Sequence, residues 1–324
     1  MTLQRRSAER VLRELGLVER PGIPTFDEFT RQWLPPEFLL QMFQFDGGKQ
    51  GTVTTAMVEL FYPILVALKT GDVVMKVTPD LITSLRDTEI PDLPVEMLKT
   101  PFEAFRVSIP AKTFAAPADQ VREIHIANAT GDRFRVVFSV GVDTHYINIL
   151  TSDPECRIDE AIDFTMKAAV ESVPKDLLQQ LKDSAAYDDY FKTDVFRFAA
   201  NLSLYITCPD ADMYRDDRKQ RELHRKLQGM KGGRKCDVLL RKLAQEKQRN
   251  VYIVGANIRL SKEYTAELTE TGKHWVLKHR VRVMGHWRQQ PYGPERSLRK
   301  PKWISPHWRG PTYAEMVEKG YVVK

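Results

Sequence analysis

Apolar positions along this 324-residue chain recur first at a helical period, then at every second residue, then at a helical period again. Leu3, Val11, Leu12 and Leu15 share one stripe, which predicts an amphipathic helix over 3–16 ended by Gly16 and Pro21. Thr25 followed by Glu28 is a capping-box pattern that starts another turn. Pro35 and Pro36 break the chain before an apolar helix over Glu37–Phe45, and Gly47 and Gly48 make a loop. Thr52–Leu68 reads as a core helix closed by Lys69 and Gly71. Val73–Val77, Ala104–Ile109, Val121–Ala127, Arg133–Val140 and Tyr146–Leu150 are short and rich in β-branched and aromatic residues, as strands are. Asn128–Gly131 separates two of them, so Val121–Val140 predicts a hairpin within an antiparallel sheet. Helices return at Arg157–Glu171, Lys175–Lys182 and Asp188–Ile206, the last almost continuously apolar from Val195 and so central to the core.

After Pro209 the pattern turns polar. Asp212–Gln228 predicts a charged helix carrying Arg215, Arg218, Arg221, Arg225 and Lys226, and Gly229–Arg234 a loop. Val238–Gln248 reads as a second basic helix, and Val251–Ile258 and Trp275–Val283 as strands. The fold class is therefore α+β. A helical part with an antiparallel sheet forms an acidic domain over 1–211, and a basic α+β domain follows over 212–324.

Charge sharpens that division. Residues 1–213 hold 22 Lys and Arg against 32 Asp and Glu, a net −10, whereas 214–324 hold 27 against 11, a net +16. Such asymmetry points the second half at a polyanion, with nucleic acid or a ribonucleoprotein the natural partner. The alternative is a solvated basic surface attracted to the acidic half.

The densest chemistry lies between His274 and Pro311. That segment holds four of the five Trp and four of the seven His, with Glu295 its only acid. In a strand ending at Val283, Val281 and Val283 face inward while Arg280 and Arg282 face out. Gly285 permits a bend or a close approach, and His286, Trp287 and Arg288 follow. Pro291–Pro294, with Tyr292 inside it, is turn chemistry. Arg296, Arg299, Lys300 and Lys302 form a run suited to phosphates, and Trp303 and Trp308 suit stacking on bases or on Arg. The competing reading packs Trp287 and Trp303 into a small sheet whose wet face carries the cations.

Other chemistries find less support. His279, His286 and His307 lack tight ligand spacing and a carboxylate among them, so no metal or other cofactor is expected. His279 or His286 beside Lys or Arg is compatible with a metal-independent endoribonuclease, which keeps an enzymatic reading open. Asp210, Asp212, Asp216 and Asp217 precede a helix and suit capping better than magnesium. Gly47-Gly48-Lys49 lacks the frame of a phosphate-binding loop. Cys156, Cys208 and Cys236 are odd in number and widely spaced, which fits a reducing compartment. The polar N-terminus carries no signal-peptide pattern, and Ala56–Leu68 is too short and too interrupted to span a bilayer. The expectation is a cytoplasmic protein without a membrane partner. Oligomeric state is not legible.

Gly285-His286-Trp287, followed by Gly293, Trp303 and Pro306, resembles the C-terminal end of the type V-A anti-CRISPR proteins of bacterial mobile elements. The likeness continues upstream in order: Gly47-Gly48-Lys49 before Leu60-Phe61-Tyr62, Phe105–Pro110, Phe196–Cys208 running into Pro209-Asp210, and Tyr252–Gly255. It departs where Met284 stands in place of Arg, and where His279 and Arg282 do not align cleanly. The resemblance implies a phage or plasmid factor that suppresses production of the Cas12a effector, recognising it during translation and lowering its mRNA. Its partners would be the nascent effector chain and mRNA or ribosome. The basic half would sit on RNA and the acidic half would hold the peptide. The contact surface expected on that reading is Arg280, Arg282, His286, Trp287, Arg288, Tyr292, Arg296, Arg299, Lys300, Lys302 and Trp308.

Overall fold

Seven strands share one sheet in the computed structural model, which describes residues 3–35, 52–89, 93–110, 113–114, 121–128, 133–140, 143–151, 153, 155–171, 194–228, 230, 232–247, 250–258, 280–283, 285–309 and 316–317. The strands are β1 (Val73–Val77), β2 (Ala104–Ser108), β3 (Glu123–Ala127), β4 (Arg133–Val140), β5 (Asp143–Leu150), β6 (Met213–Arg215) and β7 (Val251–Val254). Their order is β5–β4–β3–β2–β1–β7–β6. The expected hairpin is there, with Ile124 opposite Phe138 and Ala127 opposite Arg135. The sheet is not antiparallel throughout, however. β2 to β5 form an antiparallel meander, but β1 runs parallel to both β2 and β7. Parallel neighbours need a crossover, and the helix Pro79–Arg86 lies within the one from β1 to β2.

Each face of the sheet carries its own core. On one face Met75, Phe105, Val107, Ile124, Phe134, Val136 and Phe138 pack with the helices Pro79–Arg86, Ile158–Glu171 and 194–207. The helix 194–207 is buried at almost every position from Val195 to Ile206, as the apolar run predicted, because it has no solvent side to spare. Its expected beginning at Asp188 lies outside the described residues, as do the helices over Lys175–Lys182 and Glu37–Phe45.

On the opposite face Ala104, Ala127 and Val137 meet the helix Thr52–Thr70, whose Leu60, Phe61, Ile64, Leu65 and Val66 are buried. The N-terminal helix Leu3–Glu14 packs on it through Ala8 and Leu12. Thr25 caps the next turn as predicted, its hydroxyl taking the Glu28 amide while Glu28 returns a carboxylate to the Thr25 amide. One charged pair is buried here. Arg135 donates to Glu59 at 2.8 Å, Asn148 donates to the other carboxylate oxygen at 2.8 Å, and the guanidinium sits 3.8 Å from the Phe26 ring centre. Burial pushes the Glu59 carboxyl up, against the pull of Arg135. Removing one member would strand a buried charge, typically costing about 3–5 kcal/mol.

The segment after Pro209 departs from expectation at one point. The helix predicted from Asp212 begins only at Arg218, because Met213–Arg215 pair with β7 as an edge strand. Asp212 accepts from the Asn257 backbone and side-chain amides, which ties that strand to the end of β7. Strand β7 itself stops at Val254. Gly255 follows with φ +80°, and a Cβ there would lie 2.5 Å from Leu81. The basic helices Arg218–Leu227 and Arg234–Lys247 are thus inserted between the last two strands of the sheet. The composition break at residue 211 falls within this one sheet, since β6 and β7 follow it and β7 pairs with β1. Among the described residues no helix is long and apolar enough to cross a membrane.

Candidate nucleic-acid interface

The C-terminal cations and aromatics are carried on a separate hairpin, β9 (His286–Tyr292) and β10 (Leu298–Ile304). Its register sets Trp287 opposite Trp303, Arg288 opposite Lys302, Gln290 opposite Lys300 and Tyr292 opposite Leu298. Successive side chains alternate between faces, so the register divides the hairpin cleanly. One face holds Trp287, Gln289, Pro291, Arg299, Pro301 and Trp303. The other holds His286, Arg288, Gln290, Tyr292, Leu298, Lys300, Lys302 and Ile304.

The first face is an anchor. Both indoles are half-buried against the larger core. Trp287 Nε1 donates to Asn201 Oδ1 at 2.9 Å, and Trp303 Nε1 donates to Thr88 Oγ1 at 3.3 Å. The Tyr205 ring meets Trp303 edge-on at 5.2 Å between centroids. Asn201 is the hub of this contact. Its amide donates at 3.1 Å to the carbonyls of both Leu85 and Thr88, at and beyond the end of the helix Pro79–Arg86, where the Leu85 carbonyl also takes the Thr88 amide at 3.2 Å. Gly285 is required by the same contact: a Cβ there would come within 2.3 Å of Thr88 Oγ1 and 3.1 Å of Pro306. Packing is thus what the structure assigns to the Trp287 and Trp303 rings.

The second face is the exposed one. Arg288, Tyr292, Leu298 and Lys302 are exposed, and Lys300 is half-buried with its ammonium 5.7 Å from the Tyr292 ring centre. Arg288 bonds its neighbour Gln290. Lys300 also lies near Cys208. Burial pushes that thiol up to about 11, Asp210 adds to the rise, and Lys300 opposes it. At the tip, Glu295 and Arg296 take left-handed backbone conformations with φ of 52° and 56°. Each costs about 1–2 kcal/mol for a residue with a Cβ. Arg296 and Arg299 are both exposed there, with the Arg299 guanidinium donating to the Arg296 carbonyl at 3.4 Å.

The remaining expected contact residues sit on another small sheet, in which β8 (Arg280–Val283) lies between β11 (His307–Arg309) and β12 (Met316–Val317). Arg282 pairs with Trp308 and Arg280 with Met316 in backbone register. His279 lies outside the described residues, as does Gly47-Gly48-Lys49. His286 is half-buried opposite Ile304, and His307 is exposed with Nδ1 3.0 Å from the Ser305 carbonyl.

Asp212, Asp216 and Asp217, before the first basic helix, are held by protein partners. Asp216 takes Arg218 at 2.7 Å and Lys76 at 3.5 Å, and Asp217 takes Arg221 at 2.8 Å. Asp217 stands at the N-cap position without making a side-chain cap bond. No cluster of three or more His, Cys, Asp or Glu suited to a metal occurs among the described residues.

Sequence reasoning passed over Asn201 and Thr88. A signal for the first was present: Asn201 is the one amide inside the apolar run 195–206. Thr88 carried none, since a Thr after a helix is ordinary.

A family model described as AcrVA2-like, the anti-CRISPR type V subtype A2 family, matches residues 75–310. That span includes the sheet from the middle of β1 onward, the two basic helices and the β9–β10 hairpin. Among solved structures the chain is similar to the crystal structure of AcrVA2, with 12% identity and a TM-score of 0.47, over 94% of this chain and 93% of that one. The curated protein sequences gave no match.

Proposed function

The chain belongs to the AcrVA2-like anti-CRISPR type V subtype A2 family, and from that premise we propose that it lowers production of a Cas12a-type effector by recognising the nascent effector chain and its mRNA during translation. It works by binding. The observation that carries this reading is the division of the β9–β10 hairpin. Its tryptophans hold it to the core, while Arg288, Tyr292, Lys300 and Lys302 share the opposite face and Arg296 and Arg299 stand at the tip. Cations on such a face exchange counterions for phosphates, and an exposed Tyr offers a base a stacking surface. The acidic half, where the net charge is −10, is the part left to hold the peptide.

The test is made in cells that co-express the protein with a tagged Cas12a effector. Effector mRNA is quantified with an intact and with a mutated start codon in the effector gene. Loss of message only when it is translated is the expected result. Equal loss in both cases would overturn recognition during translation and favour direct RNA cleavage. Unchanged message in both would remove the Cas12a-type effector as the target.

A further inference from the structure

A second basic surface lies away from the hairpin. The helices Arg218–Leu227 and Arg234–Lys247 form an arm inserted between β6, the last strand of the sheet, and β7. Leu243 is buried and Leu223, Leu227 and Leu239 are half-buried, so the two helices have an apolar inner side. Gln220 donates to the Glu246 carbonyl at 3.0 Å, and Lys219 lies 3.9 Å from the Glu246 carboxylate. At the base, Asp216 holds Arg218 and reaches Lys76 of β1.

Cations outnumber acids on this arm. Between Arg218 and Lys247 there are 11 Lys and Arg against three acids, Glu222, Asp237 and Glu246. Two of those acids are spent inside the arm, Glu222 on Lys226 and Glu246 on Lys219. Arg234, Lys235, Arg241 and Lys242 are all exposed. They repeat as Arg-Lys pairs seven residues apart, which is two helical turns, about 10.5 Å along one face. Their outer side therefore carries two Arg-Lys pairs, with Asp237 and the exposed Val238 on the turn between them.

We propose that this arm is a docking surface for double-helical RNA, read through its phosphates. The class of RNA follows from what the arm lacks. Residues 216–248 contain no Phe, Tyr or Trp. Sequence-specific and single-strand binding depends on aromatic rings that stack on splayed bases, whereas an RNA duplex is read through its shape, backbone and 2′-hydroxyls. Cation pairs two turns apart on one helix fit the second task and not the first. The hairpin, with Tyr292 on its cationic face, has what the arm does not. The two surfaces would then divide structured from unpaired RNA, and the choice of RNA over DNA for the arm rests on the function proposed above.

The experiment uses the full-length protein and two fluorescent RNA probes, a duplex of about 16 bp and one of its strands alone. Affinity is measured by anisotropy over a range of salt concentrations for wild type, for R234Q/K235Q/R241Q/K242Q and for a hairpin variant, R288A/K300A/K302A. The four arm substitutions are at exposed positions, and thermal melting checks that the fold is intact. The expected result is that the arm variant loses about four from the duplex log K–log salt slope, one for each phosphate contact, while single-strand binding is kept. Duplex affinity and slope equal to wild type would overturn the proposal, leaving the apolar hollow at Met230, Val238 and Leu239, with Arg234 and Lys235 on its rim, to an acidic peptide. Equal losses on both probes would also overturn it, because the arm would then not distinguish duplex from strand. If the hairpin variant lost single-strand binding while the arm variant bound both probes as wild type does, the hairpin reading would stand and the arm proposal would fail.

Discussion

Asn201 shows how one polar residue in an apolar helix can organise three elements. Its carbonyl oxygen takes the Trp287 indole, and its amide serves the carbonyls of Leu85 and Thr88. All of its neighbours on that helix from Val195 to Ile206, apart from the half-exposed Arg197, are buried. A buried polar group that loses its partner costs about 1–3 kcal/mol, so Asn201→Leu is expected to destabilise the protein by about that much. Urea unfolding followed by Trp fluorescence reads it. A second variant, Trp287→Phe, should cost less in the Asn201→Leu background than in wild type, because the shared bond is already gone. Strictly additive costs would show that the bond contributes nothing of its own. The sequence marked Asn201 as unusual by its surroundings but could not say what it held, since Trp287 is 86 residues away.

At the scale of elements, the β9–β10 hairpin was readable in part. The turn at Pro291–Pro294 and the cations interleaved with aromatics were legible, with Trp287 and Trp303 packed in a small sheet as one of two readings. What the sequence left open was whether Trp287 and Trp303 face the core or solvent. Trp287 is one position before Arg288, so a single slip would have exchanged the anchor for the exposed face. The structure settles it through the indole bonds to Asn201 and Thr88. On the proposed function, R288A/K300A/K302A is expected to lower the salt slope of single-stranded RNA binding by about three. A slope equal to wild type would mean that the exposed face carries no phosphates. The helix expected from Asp212 failed for a related reason. Asp, Met, Tyr and Arg at 212–215 suit a charged helix as well as an edge strand, and only pairing to β7 decides between them.

The whole molecule is held across its compositional break by the sheet and, at one exposed edge, by charge. Asp216 accepts two hydrogen bonds from the Arg218 guanidinium and one from its backbone amide, and lies near Lys76 on β1, far away in sequence. The Arg218 hydrogen bonds hold its carboxyl well below the ordinary carboxylate value of 3.8. A depressed carboxylate stabilises the folded chain above that ordinary value, and the contribution is lost as pH falls below it. Asp216→Asn is therefore expected to lose less stability than wild type between pH 5 and about pH 2, with the two differing by a constant above that window. Melting temperatures measured across the range check this. Parallel curves down to the acid limit would remove the clamp from the account. Because β6, β7 and the Trp-anchored hairpin all come after residue 211 and pack with elements before it, acid loosening there bears on both charge halves.

Local patterning by itself determined the α+β class, the β3–β4 hairpin, the capping box at Thr25, the core position of 194–207 and the split of charge between the halves. These depend on periodicity, turn chemistry and composition within a dozen residues. Tertiary structure alone decided that β1 runs parallel to β2 and β7, that the basic arm is inserted between two paired strands, and that Trp287 faces the core rather than solvent. Each of these is a pairing between residues tens to hundreds apart. Strand direction and side-chain facing are fixed there by which surfaces bury one another and which buried polar groups find partners, and no local window contains both sides of that contact.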